Sequence, residues 1–495
     1  MDSSSQKTAF EKRLKRQVIG KPRRFLAIAP LGFEQTLVDE LTIISQLPDN
    51  RHPEQREGSS AETIAEKPHI IADGKVEFTA KITEAWKAVA YSRIANRILM
   101  HIADFHAENF RELEKKAAEI PWELNLPSGP VTPDTVSIHV TCKHSRLYHS
   151  DAIAERLYKV ISACPAPSSS WTQSVRDPYG SDPHLSKEAA PKQHLFVTLI
   201  DDRCTIWLDL AGEELYKRGH ERFVNDAPLK ETIAAAMLFE SLRMVLSTSP
   251  SHISHSTSHT PHYTLFDLMA GSGTFSLEAA YIANGLIPGK CRDFALKHQP
   301  AFKEATWNHI INEASLRGNE VTAAITNPRL NILTSDISEK AVGIIKHNVE
   351  CSPLATIAPN TIDPQQRDFF TYTAKEIAEA CSIGDSALPS ATNGSQPAIL
   401  LNPPYGKRLD FDAPKLYTKI GKKLTELARE LEPFGKKLSV AIIAPKDDSR
   451  PGSNYTCTTN LLRECPALDP ARNPQAKRIE TSHGGLGLNV FITLF

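Results

Sequence analysis

The chain of 495 residues has no run approaching the ~18 apolar residues a bilayer-spanning helix needs, which excludes a helical membrane protein. It also lacks charge of either sign in excess. Its 57 Lys plus Arg face 58 Asp plus Glu, a net charge of −1, so bulk positive charge cannot coat nucleic acid, although local basic patches stay open. No apolar segment follows the N-terminal charges, so no secretory leader is expected. The 8 cysteines, at positions 142, 164, 204, 291, 351, 381, 457 and 465, form no C-x-x-C pair and match no zinc spacing. The expectation is reduced, mostly buried thiols in a cytoplasmic protein without a metal centre. Glycine (23) is outnumbered by proline (34), and part of that surplus sits in segments unlike a protein core.

With 41% apolar and 23% charged residues the chain is ordinary globular material, long enough for about two to four domains. Four stretches read as inserts or linkers: Ser45 to Glu62, Ala163 to Gln193, Ser247 to His262 and Gly384 to Pro397. Their Ser, Pro and polar content buries too little apolar area to offset the entropy of ordering. The histidines of the third (His252, His255, His259, His262) could take up a metal adventitiously, and its low complexity argues against a specific site.

Between the inserts the patterning is periodic. Arg24 to Pro30 reads as a strand, and Leu31-Gly32-Phe33-Glu34 opens a helix carrying Leu37, Leu41 and Ile44. Val76 to Phe78 alternates like a strand, and Ile82 to Leu99 has helical spacing. Val136 to Cys142 alternates again, before a helix from Asp151 to Ile161. Leu195–Ile200 and Thr205–Leu210 make a strand pair. After Asp226-Ala227-Pro228, Leu229 to Leu246 is a helix, and from His262 onward alternating strands and helices indicate a doubly wound parallel sheet.

Three motifs carry chemistry. In the first, an apolar strand ends at Asp267 and turns through Gly271 and Gly273 into a helix. Glycine lets a ligand approach the backbone, and the helix start offers amide donors. By itself this is either a cofactor loop or a tight turn; Asp267 would repel a phosphate but suit a cationic group. In the second, a strand ends at Asp336, where a carboxylate either accepts from a ribose diol or caps the next helix. Asp368, after the following strand, could face an adenine amino group or solvent. The third is Asn402-Pro403-Pro404-Tyr405-Gly406 at the end of an apolar strand. Two prolines fix the backbone, and the Asn402 side-chain oxygen and Pro403 carbonyl become paired acceptors for a planar –NH₂ group. Tyr405 would stack on the ring behind it.

Together these motifs resemble the class I S-adenosylmethionine-dependent methyltransferases of the amino-methylating N-P-P-Y group, over residues from about 263 to 495. Upstream, Leu208 to Gly219, Ala227-Pro228-Leu229-Lys230-Glu231-Thr232, Ala29 to Glu34, Tyr91-Ser92-Arg93 and Ser145 to His149 are similar to the bacterial large-subunit (23S) rRNA guanine-N2 methyltransferases. The resemblance implies an α/β protein: a C-terminal Rossmann-like class I methyltransferase with N-terminal ferredoxin-like and THUMP α+β modules. The implied layout is a basic tail at 1–24, a ferredoxin-like segment at 25–75, and a THUMP RNA-binding domain at 76–215 with an insert at 163–193. A linker helix and low-complexity insert follow at 216–262, then the catalytic domain at 263–495.

It further implies S-adenosylmethionine as cofactor, held by Asp267, Gly271, Gly273, Asp336, Asp368 and Asn402. Asn402, Pro403 and Tyr405 would be catalytic. Two departures stand out: Asp267-Leu268-Met269-Ala270 replaces the usual Asp-Pro-Met-Cys, and Ser338 replaces a common acid after Asp336. The partner implied is RNA, in large-subunit rRNA or an assembling subunit, with no membrane and no metal. Candidate RNA contacts are Lys143, Arg146 and His149, with His144 beside them, and Lys217 and Arg218. The N-terminal run Lys12, Arg13, Lys15, Arg16, Lys21, Arg23 and Arg24 is a further phosphate-binding candidate, or a disordered tail. Guanine-N2 methylation of tRNA and a catalytically silent ribosome-assembly factor are the rival readings. With the chain ending at Phe495, one reaction is expected.

Overall fold

The computed structural model describes residues 3–47, 64–164, 191–224, 228–247, 262–312, 329–382, 395–405, 412–447 and 456–495. Most of each insert, Asp226, Ala227, His252, His255, His259 and Gly406 lie outside them. The chain divides into two compact units. One comprises Met1–Ile28, Ile44–Gly219 and Gly289–Glu313; the other comprises Ala29–Ile43, His220–Pro288 and Ala314–Phe495.

The first unit is built on seven strands: β1 (Arg23–Ile28), β2 (Ile64–Ala72), β3 (Lys75–Ala80), β4 (Arg97–His106), β5 (Val136–Lys143), β6 (Gln193–Ile200) and β7 (Arg203–Asp209). They form a single sheet in the order β2-β3-β1-β4-β7-β6-β5, parallel only between β5 and β6. Alternation buries Phe25, Phe78, Ile98, Met100, Val197, Leu199, Ile206 and Leu208 on one face. The division expected at residues 75/76 therefore falls inside a hairpin, where Ala72 pairs with Lys75.

The expected helix from Ile82 to Leu99 is corrected. The helix runs Ile82–Tyr91, Ser92 turns extended (φ −66°, ψ 128°), and β4 begins at Arg97. Ile94 and Ile98 continue the four-residue spacing, so the sequence reads helical throughout. Cross-strand pairing of Ile98 with Ala27 and Met100 with Phe25 overrides that reading. The N-terminal tail is also ordered. Helix Ser3–Leu14 and the wider turn Lys15–Ile19 bury Phe10, Leu14 and Val18, one stripe at four-residue spacing. Lys12, Arg13, Lys15 and Arg16 remain exposed, and Arg13 pairs with Glu123 at 2.9 Å.

The second unit holds β8 (His262–Asp267), β9 (Arg329–Asp336), β10 (Pro364–Gln366), β11 (Gln396–Leu401), β12 (Ser439–Pro445), β13 (Lys477–His483) and β14 (Leu486–Leu494). Their order is β10-β9-β8-β11-β12-β14-β13. The parallel expectation holds for five strands; β14 inserts antiparallel between β12 and β13, so the sheet is mixed. Helices 374–380, 413–431 and 457–464 cover one face through Phe266, Ile399, Val440, Tyr417 and Leu461. Helices 274–283 and 339–350 meet through Leu277, Tyr281, Ile345 and Val349. Central strand β11 is buried along nearly its whole length, which is why it reads as an unbroken apolar run.

The expected boundaries shift at two further places. Gly289–Glu313, placed with the catalytic domain by sequence, groups with the first unit, where the Gly289 amide donates to the Ala90 carbonyl at 3.1 Å. Ala29–Ile43 groups with the second, where Thr36 Oγ1 donates to the buried Glu240 carboxylate at 2.8 Å. Gly219 fixes another close approach. Its φ is +87°, and a Cβ would lie 2.4 Å from the Cys291 carbonyl oxygen. Gly219→Ala should lower stability by about 1–3 kcal/mol in urea unfolding. An unchanged midpoint would refute the close approach.

Candidate active site

The site is assembled at the carboxyl ends of adjacent parallel strands. Asp267, closing β8, is in register with Thr334 of β9 and Leu400 of β11. Asp336 and Asn402 each stand two residues beyond that row, and Asp336 pairs with Gln366 of β10. Strand pairing alone thus brings three distant segments to one edge, the crevice where open α/β sheets bind ligands.

Asp267 does not face that crevice. It is 1% exposed, and its Oδ2 accepts from the Ser276 amide (3.1 Å) and hydroxyl (2.7 Å) inside the following helix. The Ser276 hydroxyl also meets Thr334 Oγ1 at 2.7 Å, tying β8, β9 and the helix together. The expectation that Asp267 meets a cationic ligand group is therefore corrected: it clamps the loop from beneath. Burial pushes its carboxyl up to about 7, with Asp336 adding in the same direction and the Ser276 hydrogen bonds opposing.

The glycine loop itself is open. Among the described residues, Gly271 (φ +56°) has no heavy atom within 4 Å of where a Cβ would stand, whereas at Gly273 (φ +77°) a Cβ would press on Ile345 at 3.1 Å. One glycine thus leaves room for a ligand, and the other lets two helices approach. Asp336 organises the loop, accepting from the Gly271 amide at Oδ2 (2.9 Å) and from the Ser338 amide at Oδ1 (2.9 Å). The cap of helix 339–350 is Ser338, whose hydroxyl accepts from the Ala341 amide, so the serine in place of an acid has a local role. Each Asp336 oxygen retains a lone pair for a diol. Asp368 is half-buried and accepts from the Phe370 amide at 3.0 Å, fixing the turn after β10.

At the end of β11, Pro403 is buried, and Asn402 and Tyr405 are half-buried. Asn402 Oδ1 is a buried acceptor with no hydrogen-bond partner among the described residues. An unpaired buried acceptor costs roughly 1–3 kcal/mol. A ligand donor would remove that cost, as the sequence expectation of an –NH₂ partner requires.

Two residues around the loop escaped the sequence reading. Arg222 donates to Thr274 Oγ1 and pairs with Glu231, bracing the loop's exit. Asn348 donates to the Ser272 carbonyl at 3.1 Å and exchanges two hydrogen bonds with the Phe223 backbone. Arg222 lies just past the Lys217-Arg218-Gly219 run, and that adjacency was the one available signal.

The RNA candidates separate. Lys143, His144, Arg146 and His149 are all exposed between β5 and helix 150–163, beside a 68%-exposed Tyr148. Arg146 pairs with Glu108, and its amide donates to Asp202 at 2.6 Å. Lys217 pairs with Glu213 at 2.7 Å. Arg218 is corrected: it is 6% exposed, and its guanidinium donates to the Leu215 and Arg93 carbonyls. It holds the fold and presents no charge to a ligand.

Residues 251–438 match the family described as RMKL-like, methyltransferase domain. This segment is similar to RMKL-like methyltransferase domains. Relatives named ribosomal RNA large subunit methyltransferase K/L include that of Allochromatium vinosum, 29% identical over 415 residues, covering 81% of this chain and 45% of that one. Another, from Syntrophotalea carbinolica, is 26% identical over 411 residues, covering 81% and 47%. The chain thus spans about half the length of these curated relatives.

Two solved structures share the fold. One is a chain assigned as a methyltransferase and solved with SAH (TM-score 0.62, 22% identity, 96% of this chain and 98% of that one). The other is a predicted N6-adenine-specific DNA methylase from Listeria monocytogenes (TM-score 0.61, 20% identity, 96% of each). The second unit therefore has a Rossmann-like α/β fold. Among the described residues no helix is long and apolar enough to cross a membrane.

Asp267 makes a pH signature for this domain. An aspartate near 3.9 when unfolded and about 7 when folded favours the folded state only while protonated, so its contribution fades as pH rises from 4 to 7. Asp267→Asn should flatten the fall in thermal midpoint over that window relative to the parent. Parallel profiles would show that the carboxyl is not held protonated.

Proposed function

We propose that the chain transfers a methyl group from S-adenosylmethionine to the exocyclic N2 of a guanosine in large-subunit (23S) rRNA. The observation that carries this reading is Asn402 Oδ1, a buried acceptor with no partner among the described residues, at the carboxyl end of the strand paired with β8, which leads into the Gly271 loop. The relatives' names favour rRNA over tRNA. The first unit is read as ferredoxin-like and THUMP RNA-capture modules, with Lys143, Arg146 and His149 as the contact loop and the cytoplasm as setting.

The residues present fit the cofactor. Gly271 would give backbone access, Asp336 would accept from the ribose, and Asp368 would meet the adenine. When bound, the sulfonium supplies an electrophilic methyl carbon. The guanine amine is a poor nucleophile because its lone pair is delocalised into the ring. Asn402 and the Pro403 carbonyl would accept its two hydrogens, favouring a more tetrahedral nitrogen and fixing its distance and direction. Tyr405 would hold the extruded base by stacking. No strong base is required, since the alkylated cation is acidic and sheds its proton to water.

Asn402→Ala should reduce methyl transfer to undermethylated rRNA by about 100-fold or more while calorimetric S-adenosylmethionine affinity stays nearly unchanged. A fully active variant would overturn the assignment. Asp336→Ala should instead weaken cofactor binding by about tenfold or more, because two charge-assisted contacts vanish. No detectable cofactor binding by the parent would favour a silent assembly factor.

A further inference from the structure

Glu221, His347 and Cys351 lie outside the transfer site, and all three donor atoms, one from each residue, fall within 4.8 Å of one another. His347 and Cys351 sit at i, i+4 where helix Glu339–Glu350 ends, a spacing that places both on one face. His347 Nε2 and Cys351 Sγ are 3.4 Å apart. Two ligands on one tetrahedral zinc, at Zn–N ≈ 2.0–2.1 Å and Zn–S ≈ 2.3 Å, stand about 3.6 Å apart. The pair is therefore already spaced for a shared ion.

The third donor comes from the segment 220–224, which is fastened at Phe223. Phe223 stacks on the His347 ring (centroids 4.0 Å apart, 21° between planes). Asn348 receives the Phe223 amide at 2.8 Å and returns a bond to its carbonyl at 2.9 Å. The imidazole plane and the backbone carrying Glu221 are both set before any ion arrives, which removes much of the ordering cost of binding.

We infer that Glu221, His347 and Cys351 form a binding site for a borderline-soft divalent cation, zinc above all, with a fourth position left to water. A thiolate, an imidazole and a carboxylate suit zinc rather than magnesium or calcium, which take oxygen ligands. Binding forms Zn–S, Zn–N and Zn–O bonds, and the Cys351 thiol proton is released to water, so affinity should rise with pH. The single Cys and His had no paired spacing in the sequence, because the third ligand is 126 residues away from His347. The role is structural. The ion would lock the Glu221–Phe223 loop to helix 339–350, and through Asn348 that helix holds the Ser272 carbonyl of the glycine loop.

The test is a Co²⁺ titration of the full chain, followed by Zn²⁺ competition. The expected result is one equivalent bound, with a thiolate-to-cobalt charge-transfer band that Zn²⁺ abolishes and that Cys351→Ser lacks. Glu221→Gln, at an exposed position, should weaken binding about tenfold or more while leaving the far-ultraviolet spectrum unchanged. The parent's thermal midpoint should rise with Zn²⁺, and that of Cys351→Ser should not. Absence of the band in the parent, or its survival in Cys351→Ser, would overturn the proposal and leave Cys351–His347 as a hydrogen bond alone.

Discussion

Register around β8 is the constraint on which the site depends. Because β9 and β11 both pair parallel to it, the residues that follow Thr334 and Leu400 must emerge at the edge where β8 gives way to the glycine loop. Parallel strands need long crossovers, so chemistry-bearing residues 65 to 135 positions from Asp267 or Gly271 meet without any local sequence contact. A one-residue slip of β11 would turn Asn402 to the opposite face and bring the wrong side chain to the crevice. The buried side chains of Phe266, Ile399 and Leu401 oppose such a slip, each being worth roughly 1.5–3 kcal/mol when fully removed from water.

Polar clamps then refine what packing has aligned. Asp267, Ser276 and Thr334 form a sealed knot under the loop, Asp336 gathers the Gly271 and Ser338 amides above it, and Asn348 holds Ser272 from the neighbouring helix. The loop is thus held on both sides while the space beside Gly271 stays clear. Asn402 differs, since among the described residues its buried oxygen has no hydrogen-bond partner. A preorganised acceptor of this kind needs no rearrangement when its ligand arrives.

Much of this was legible in the chain itself. The strand-to-glycine turn, the acidic end of β9 and Asn-Pro-Pro-Tyr are local patterns whose geometry follows from the backbone, so they were found in order and in place. What could not be read depended on partners far away in sequence. Asp267 looks the same on paper whether it faces a ligand or Ser276, and Arg218 looks like a surface charge until the Arg93 and Leu215 carbonyls surround it. Ile94 and Ile98 carry helical spacing, yet pairing with β1 makes the latter a strand residue. The tail's basic run hid a stripe of Phe10, Leu14 and Val18 because charge density is more conspicuous than three apolar residues. Unit boundaries were hardest, since Ala29–Ile43 and Gly289–Glu313 join the unit their sequence neighbours do not.

The central proposal is that this strand edge methylates a guanine amine of large-subunit rRNA. Nucleoside mass analysis of rRNA and tRNA from a deletion strain, complemented with the parent gene or with Asn402→Ala, tests it most directly. The account predicts loss of one N2-methylguanosine from large-subunit rRNA, restored by the parent and not by the variant. Intact rRNA with the loss confined to tRNA, or restoration by Asn402→Ala, would contradict it.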